Sequence, residues 1–155
     1  MPDGLRIEGM DALQRALKMY PKATQRGAVR GMRKGVLRVQ RAARQNAPVD
    51  TGRLRASIAT RVSPVGKGVR GVVGSAVHYA PYQEFGAKPH WPPIAALETW
   101  ARRHGTSAYL VARSIAQKGI KAKRYLRDAW QQEVHNVVRD MAREIEIEIR
   151  KLARG

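Results

Sequence analysis

Apolar residues recur along this chain at helical spacing near both ends and alternate near the middle. Leu13, Leu17 and Tyr20 lie at helical intervals after a short extended lead-in at Leu5–Ile7, so a helix is expected over residues 9–20. Pro21 interrupts it and suits the first position of a new helix. That helix is expected to run from Pro21 to about Gln45, with Val29, Met32, Val36, Val39 and Ala43 as its apolar stripe. Gly27, Gly31 and Gly35 stand four residues apart within it. Glycine weakens a helix, but such a row lets another backbone come close. Asn46 and Pro48 are stop signals.

Val49–Gly52 reads as a turn, because Asp50 can bond the backbone two residues on and Gly52 tolerates positive φ. Leu54–Val62 opens either helically or extended, and Ile58–Val62 has the β-branched content of a strand. Ser63–Gly68 is expected to turn, and Val69–Val77 to return as a second strand, with Gly71 and Gly74 as bulges or close contacts. Residues 78–85 read as extended or irregular, and Gly86–Pro93 as a loop around Trp91. Helices are expected at Ile94–His104, ended by Gly105, and at Ala108–Lys118, capped by Ser107 and ended by Gly119. A last helix is expected from about Lys123 to Leu152, with Leu126, Trp130, Val134, Val137, Met141, Ile145 and Ile149 on one apolar face. Glu144–Ile149 also alternates with period two, and the helical period before it decides for helix.

Length and charge then narrow the field. At 155 residues the chain fits one domain, 1–155, with helices at about 9–45, a sheet at about 56–85 and helices at about 93–152. It has no cysteine, which rules out disulfides, cysteine nucleophiles and thiolate metal sites. No apolar run approaches a membrane span, and Met1–Gly4 does not begin a secretory signal. The net charge of +18 favours polyanions or acidic protein surfaces and opposes self-association at low salt. Much of that charge lies between Ala12 and Val49, a stretch with no acidic residue. Arg26, Arg30, Arg33, Arg38, Arg41 and Arg44 are the candidate contacts there, for the phosphates of DNA or for an acidic partner. Lys118, Lys121, Lys123 and Arg124 form a shorter basic cluster, expected in a loop.

No constellation reads as an active site. Gly66–Gly71 matches G-x-G-x-x-G, but a strand follows where the dinucleotide fingerprint needs a helix, so a glycine-rich hairpin turn is expected. His78, His90, His104 and His135 include no pair at metal-ligand spacing. Asp50 and Glu84 could be pictured as paired carboxylates. Asp50 is better explained by its turn, and Glu84 by a salt bridge or an interface. Trp91, flanked by prolines, is either an interface anchor or a lid on the core. No catalytic residue, cofactor or metal is expected.

Two segments carry a resemblance. Ala47-Pro48-Val49-Asp50-Thr51-Gly52-Arg53-Leu54-Arg55-Ala56-Ser57-Ile58 and Tyr79-Ala80-Pro81-Tyr82-Gln83-Glu84-Phe85-Gly86 resemble the hallmark motifs of the bacteriophage head–tail joining family. Its members are also called neck, tail-completion or tail-component proteins of long-tailed phages and prophages. The basic helix before the first motif is similar too, as are Pro89–Pro93, Ile115–Ile120 and Tyr125–Ala129. The chain departs from the family at Gly86-Ala87, where Gly-Thr is common, and at Lys123–Leu126. The resemblance implies an α+β fold, with a small antiparallel β-sheet packed against long N-terminal and C-terminal α-helices. It implies a virion assembly protein without enzymatic activity, located at the head–tail junction or tail and in the host cytoplasm during assembly. Other neck and tail proteins would be its partners, with a homo-oligomer, a hexameric ring being the natural form, and a contact with DNA in the neck. On that reading Pro48, Asp50, Thr51, Gly52, Leu54, Ser57, Tyr79, Ala80, Tyr82, Glu84, Phe85, Gly86 and Trp91 either shape contacts or maintain the fold. The rivals are a nucleic-acid-binding module using the Arg15–Arg44 face, and an enzyme built on Asp50, Glu84 and a histidine.

Overall fold

The computed structural model describes residues 18, 19 and 21–152. The expected lead-in at 5–7 and most of the expected helix at 9–20 lie outside the described residues. The rest is α+β. Helix α1 (Pro21–Asn46) leads through the short α2 (Arg53–Ser57) into strands β1 (Ile58–Val65) and β2 (Gly68–Ser75). Then come α3 (Ala80–Phe85), α4 (Ile94–Arg103), α5 (Ala108–Lys118) and the long α6 (Tyr125–Leu152).

Helices α1 and α6 pack antiparallel, and the glycine row sets their distance. A Cβ added at Gly27 would stand 2.5 Å from Ile145 Cα, one at Gly31 would meet the Met141 backbone, and one at Gly35 would come 2.7 Å from Val137 Cγ1. The missing side chains are therefore the space into which α6 settles. Val36, Val39, Ala42 and Ala43 of α1 are buried, and Val39, Ala42 and Ala43 join Leu54, Ile58, Ala80, Tyr125, Ala129 and Val137 in one core cluster.

β1 and β2 form an antiparallel hairpin with Ile58 opposite Ser75 and Val65 opposite Gly68. The loop between them is Gly66–Lys67, with φ 56° at Gly66, as a two-residue hairpin loop requires. The G-x-G-x-x-G match is thus a hairpin turn, and β1 runs three residues beyond the expected Val62 into the expected turn. A Cβ at Gly71 would meet Met32 Sδ at 2.5 Å and Val36 Cγ1 at 2.6 Å, so the hairpin lies directly on α1. Gly74 has nothing within 4 Å and makes no such close contact.

Two readings need correction. Residues 80–85, expected to be extended or irregular and counted with the sheet, are helical. Pro81 sits in the first turn of α3, where its locked φ and absent N–H are tolerated. A helix this short leaves little periodicity to read. Trp130, expected on the buried face of α6, is 51% exposed. The apolar stripe shifts by one position at that end, because Tyr125 and Ala129 fill the cluster against Leu54, Ile58 and Ala80. The α4–α5 hairpin matches expectation, with Ser107 Oγ accepting from Tyr109 N at 3.2 Å and Gly105 at φ 62° between the helices.

Candidate interaction surface

Beyond Lys22, the basic residues of α1 divide into two groups. Arg26, Arg30, Lys34 and Arg38 form one row at four-residue spacing, and α6 carries Asp140, Glu144 and Glu148 at the same spacing. The antiparallel crossing pairs them. Arg26 Nε donates to Glu148 at 3.3 Å, Arg30 reaches Glu148 at 3.0 Å, Lys34 pairs with Glu144, and Arg38 Nε donates to Asp140 at 2.6 Å. Glu144 and Glu148 are buried by this arrangement. Bonds from Lys151 and Arg26 hold the Glu148 carboxyl below its ordinary pKa, and Asp140 holds the Arg38 guanidinium above its own. This row of α1 is therefore a neutralised seam with α6 rather than a free polycation. Equal four-residue spacing of bases in α1 and acids in α6 is the signal that sequence reasoning overlooked.

The second group remains uncompensated. Arg33 and Arg41 are exposed, with no ion pair among the described residues, as is Arg55 on α2. Arg44 donates to the Ile58 carbonyl at 2.9 Å, beside Gln40 at 2.6 Å, and so holds the α2–β1 junction. An open groove of about 520 Å³ lies along this side, lined by Leu37, Gln40, Arg41, Arg44, Gln45 and Arg55. A smaller one adjoins it at Leu37, between Arg33 and Val62. Of the six basic candidates, then, Arg26, Arg30 and Arg38 join the seam, Arg44 supports a turn, and Arg33 and Arg41 stay available.

The first motif is mainly architecture. Gly52 adopts φ 77° ahead of α2, and Thr51 Oγ1 accepts from Arg53 N at 3.4 Å. Leu54 is buried. Ser57 Oγ donates to the Leu54 carbonyl and lies 2.7 Å from Ser75 Oγ, tying α2 to the end of β2. Pro48 is half-buried. Asp50 departs from expectation. Its carboxylate pairs with Arg103, and His104 Nε2 lies 3.7 Å away, so it anchors the C-terminal end of α4 and not its own turn.

The second motif divides by side. Inward, Ala80 is buried, Tyr79 packs on the core, and Glu84 is 5% exposed. Glu84, expected as a salt-bridge partner or an interface residue, forms no salt bridge among the described residues. Its two oxygens accept from Leu126 N at 2.8 Å and Arg127 N at 3.0 Å, in the first turn of α6. The carbonyls of Gln83 and Glu84 accept from Lys123 N and Arg124 N. Arg124 itself has φ 53°, so α6 starts without a local side-chain cap and takes one from α3. The carboxylate also meets the positive end of the helix dipole. Tyr125, fully buried beside it, has its hydroxyl pKa raised by burial and then by the charge of Glu84.

Gly86 and Gly119 extend the same clamp. Their φ angles are 73° and 71°, and they flank the bridge in which Ala87 and Ile120 exchange bonds of 2.9 and 2.8 Å. A Cβ at Gly86 would lie 2.9 Å from Ala122 N, and one at Gly119 3.1 Å from Lys88 C. Outward, Tyr82 is half exposed and Phe85 is 79% exposed. Trp91 is no lid on the core: it is half exposed, edge-on to Tyr109 with ring centroids 5.8 Å apart. Asp50 and Glu84 therefore have separate partners and form no carboxylate pair. His104 stacks on Trp100 at 4.0 Å and His78 packs edge-on to Tyr79, while His90 bonds the Lys88 carbonyl. No cluster of metal-ligating side chains occurs among the described residues.

The model of the family described as "Bacteriophage HK97-gp10, putative tail-component" matches residues 11–86, which span α1, the hairpin and α3. Over those residues, just under half of its length, the chain is similar to the HK97-gp10-like family of bacteriophage tail components. The matched stretch holds both motifs and ends at the glycine of the clamp. The α4–α5 hairpin and α6 lie outside it, although α6 completes the core of this HK97-gp10-like chain. No curated protein and no solved structure gives a significant match. This likeness supports a phage tail-component, structural role and a place in the virion. No helix among the described residues is long and apolar enough to cross a membrane.

Proposed function

We propose that this tail component works without enzymatic activity at the head–tail junction, through protein–protein contacts within a homo-oligomeric ring and with neighbouring neck or tail proteins. The observation that carries the reading is the division of the second motif. Glu84 and Gly86 fasten α3 to the start of α6, and that rigid joint presents Phe85 and Tyr82 to solvent. Large aromatic side chains held out on a fixed backbone are costly to leave in water and well suited to a neighbour's pocket. A ring needs two different patches on each subunit, since its contacts are heterologous. The aromatic edge at Phe85 is one, and the α4–α5 hairpin, with Trp91, Tyr109 and Leu110 exposed, supplies a second.

The chain would act as one domain, assembled in the host cytoplasm before it joins the virion. Light scattering on the purified, nuclease-treated protein in moderate salt tests the reading, with the 260/280 nm absorbance ratio recorded across the peak. A discrete mass several times 17.3 kDa, free of nucleic acid, is expected. A monomer that carries nucleic acid would support the rival, a DNA-binding module. That rival keeps Arg33 and Arg41 as its specific support, since the paired row of α1 is already engaged by α6.

A further inference from the structure

We infer that the groove along α1 between Arg33 and Arg55 is a docking site for an acidic amphipathic segment of a different protein. This inference does not depend on a position at the head–tail junction. Three observations carry it. First, the groove collects the cations of this region that the fold leaves unpaired. Arg26, Arg30, Lys34 and Arg38 meet acids of α6, whereas Arg33, Arg41 and Arg55 meet none among the described residues. A chain of net charge +18 that neutralises one row and leaves the next one bare keeps a strong field on that side.

Second, the floor is apolar in its centre. Leu37 is 55% exposed midway between Arg33 and Arg41, and it lines both the larger and the smaller depression, with Val36 and Val62 beside it. A phosphate backbone is held by cations and gains nothing from a leucine. Single-stranded nucleic acid would need aromatic stacking surfaces, and none lines the groove. A peptide with apolar residues on one face and carboxylates along its flanks satisfies both kinds of lining at once. Arginine also suits it, because the planar guanidinium pairs with carboxylates in two-point contacts.

Third, a second copy of this chain is a poor occupant. Most of its described acids are engaged: Asp140, Glu144 and Glu148 with α1, Asp50 with Arg103, Glu146 with Arg150, and Glu84 with the start of α6. The inference therefore assigns the carboxylates to another protein.

The test uses the full chain and two fluorescent probes at about 150 mM salt. One is a synthetic helical peptide with leucines on one face and glutamates on the others. The second is a duplex DNA of similar net charge. Anisotropy is measured for the wild type, for Leu37→Ser, and for Arg33→Ala/Arg41→Ala. All three positions are exposed, and circular dichroism checks that each variant is folded. The peptide is expected to bind the wild type and to lose about tenfold in affinity with either variant. Duplex binding is expected to be weaker than peptide binding and unmoved by Leu37→Ser, which adds no charge. The inference is overturned if the peptide does not bind, or binds Leu37→Ser as well as wild type. It is equally overturned if the duplex is the tighter ligand and only the arginine variant weakens it, which would make the groove a phosphate site. A change in oligomer mass in these variants would bear on the ring, not on the groove.

Discussion

Glu84 and Phe85 are neighbours in sequence and opposites in role, which makes them the sharpest residue-scale comparison. Glu84 caps a helix more than forty residues away in the chain, with its carboxylate out of water. Glu84→Ala leaves two backbone N–H groups of α6 unpaired in a partly buried place. Loss of a cap and of charge-assisted bonds together is expected to lower unfolding stability by about 2 kcal/mol in urea denaturation. Phe85→Ala removes a side chain already in solvent and should change stability by less than about 0.5 kcal/mol. Equal losses for the two would mean that α3 is not clamped as described. Glu148 gives a pH test at the same scale. Its folded pKa is lowered from 4.5, first by the bond from Lys151 and then by that from Arg26. A carboxyl with a depressed folded pKa contributes its stability above the unfolded value and loses it as pH falls through the folded one. Stability should therefore decline as pH drops below about 4.5, and Glu148→Gln should flatten part of that decline. An unchanged slope in the variant would assign the acid sensitivity elsewhere.

At the scale of elements, the α1–α6 pair rests on glycines as much as on charges. Gly31→Ala would gain about 1 kcal/mol of helix propensity. Its new methyl, however, meets the Met141 backbone, which cannot rotate away as a side chain would. Separating the helices also loosens the buried Glu144 and Glu148 pairs. A net loss of about 2 kcal/mol is expected, read as a lower midpoint in thermal or chemical denaturation. Gly74→Ala, with nothing within 4 Å of the new atom, is the control and should be near neutral. The glycine row is legible in the sequence because four-residue spacing on a helix has one meaning: a close approach along one face. The hairpin, the α4–α5 pair and the ends of α1 are legible for the same reason, as each is a local pattern with local punctuation. What escapes the sequence is non-local. Glu84 looks like any glutamate in its own segment, and only the fold brings the bare start of α6 to it. Asp50 reads as a turn residue until α4 places Arg103 beside it. Trp130 fits a helical stripe by its spacing, and the turn of α6 against α2 and α3 carries it to the outside.

For the whole molecule, the question is which surfaces the fold leaves unengaged. The α1–α6 seam consumes acids and bases alike. Among the surfaces left over are the aromatic edge at Tyr82 and Phe85, the α4–α5 hairpin with Tyr109 and the neighbouring Trp91, and the basic groove at Leu37. They lie on different elements, so one molecule can meet several neighbours at once, as a component inside a virion must. If the aromatic edge is the subunit contact, Phe85→Asp should reduce the assembled mass in light scattering while leaving the unfolding stability of the monomer within about 0.5 kcal/mol of wild type. A variant that lowers both would show Phe85 supporting the fold, against its 79% exposure. One that lowers neither would overturn the pairing of the Phe85 edge with the α4–α5 hairpin as the ring contact. Because net charge of +18 opposes self-association, any ring should also strengthen as salt rises to physiological levels, the reverse of what a phosphate-bound complex would show.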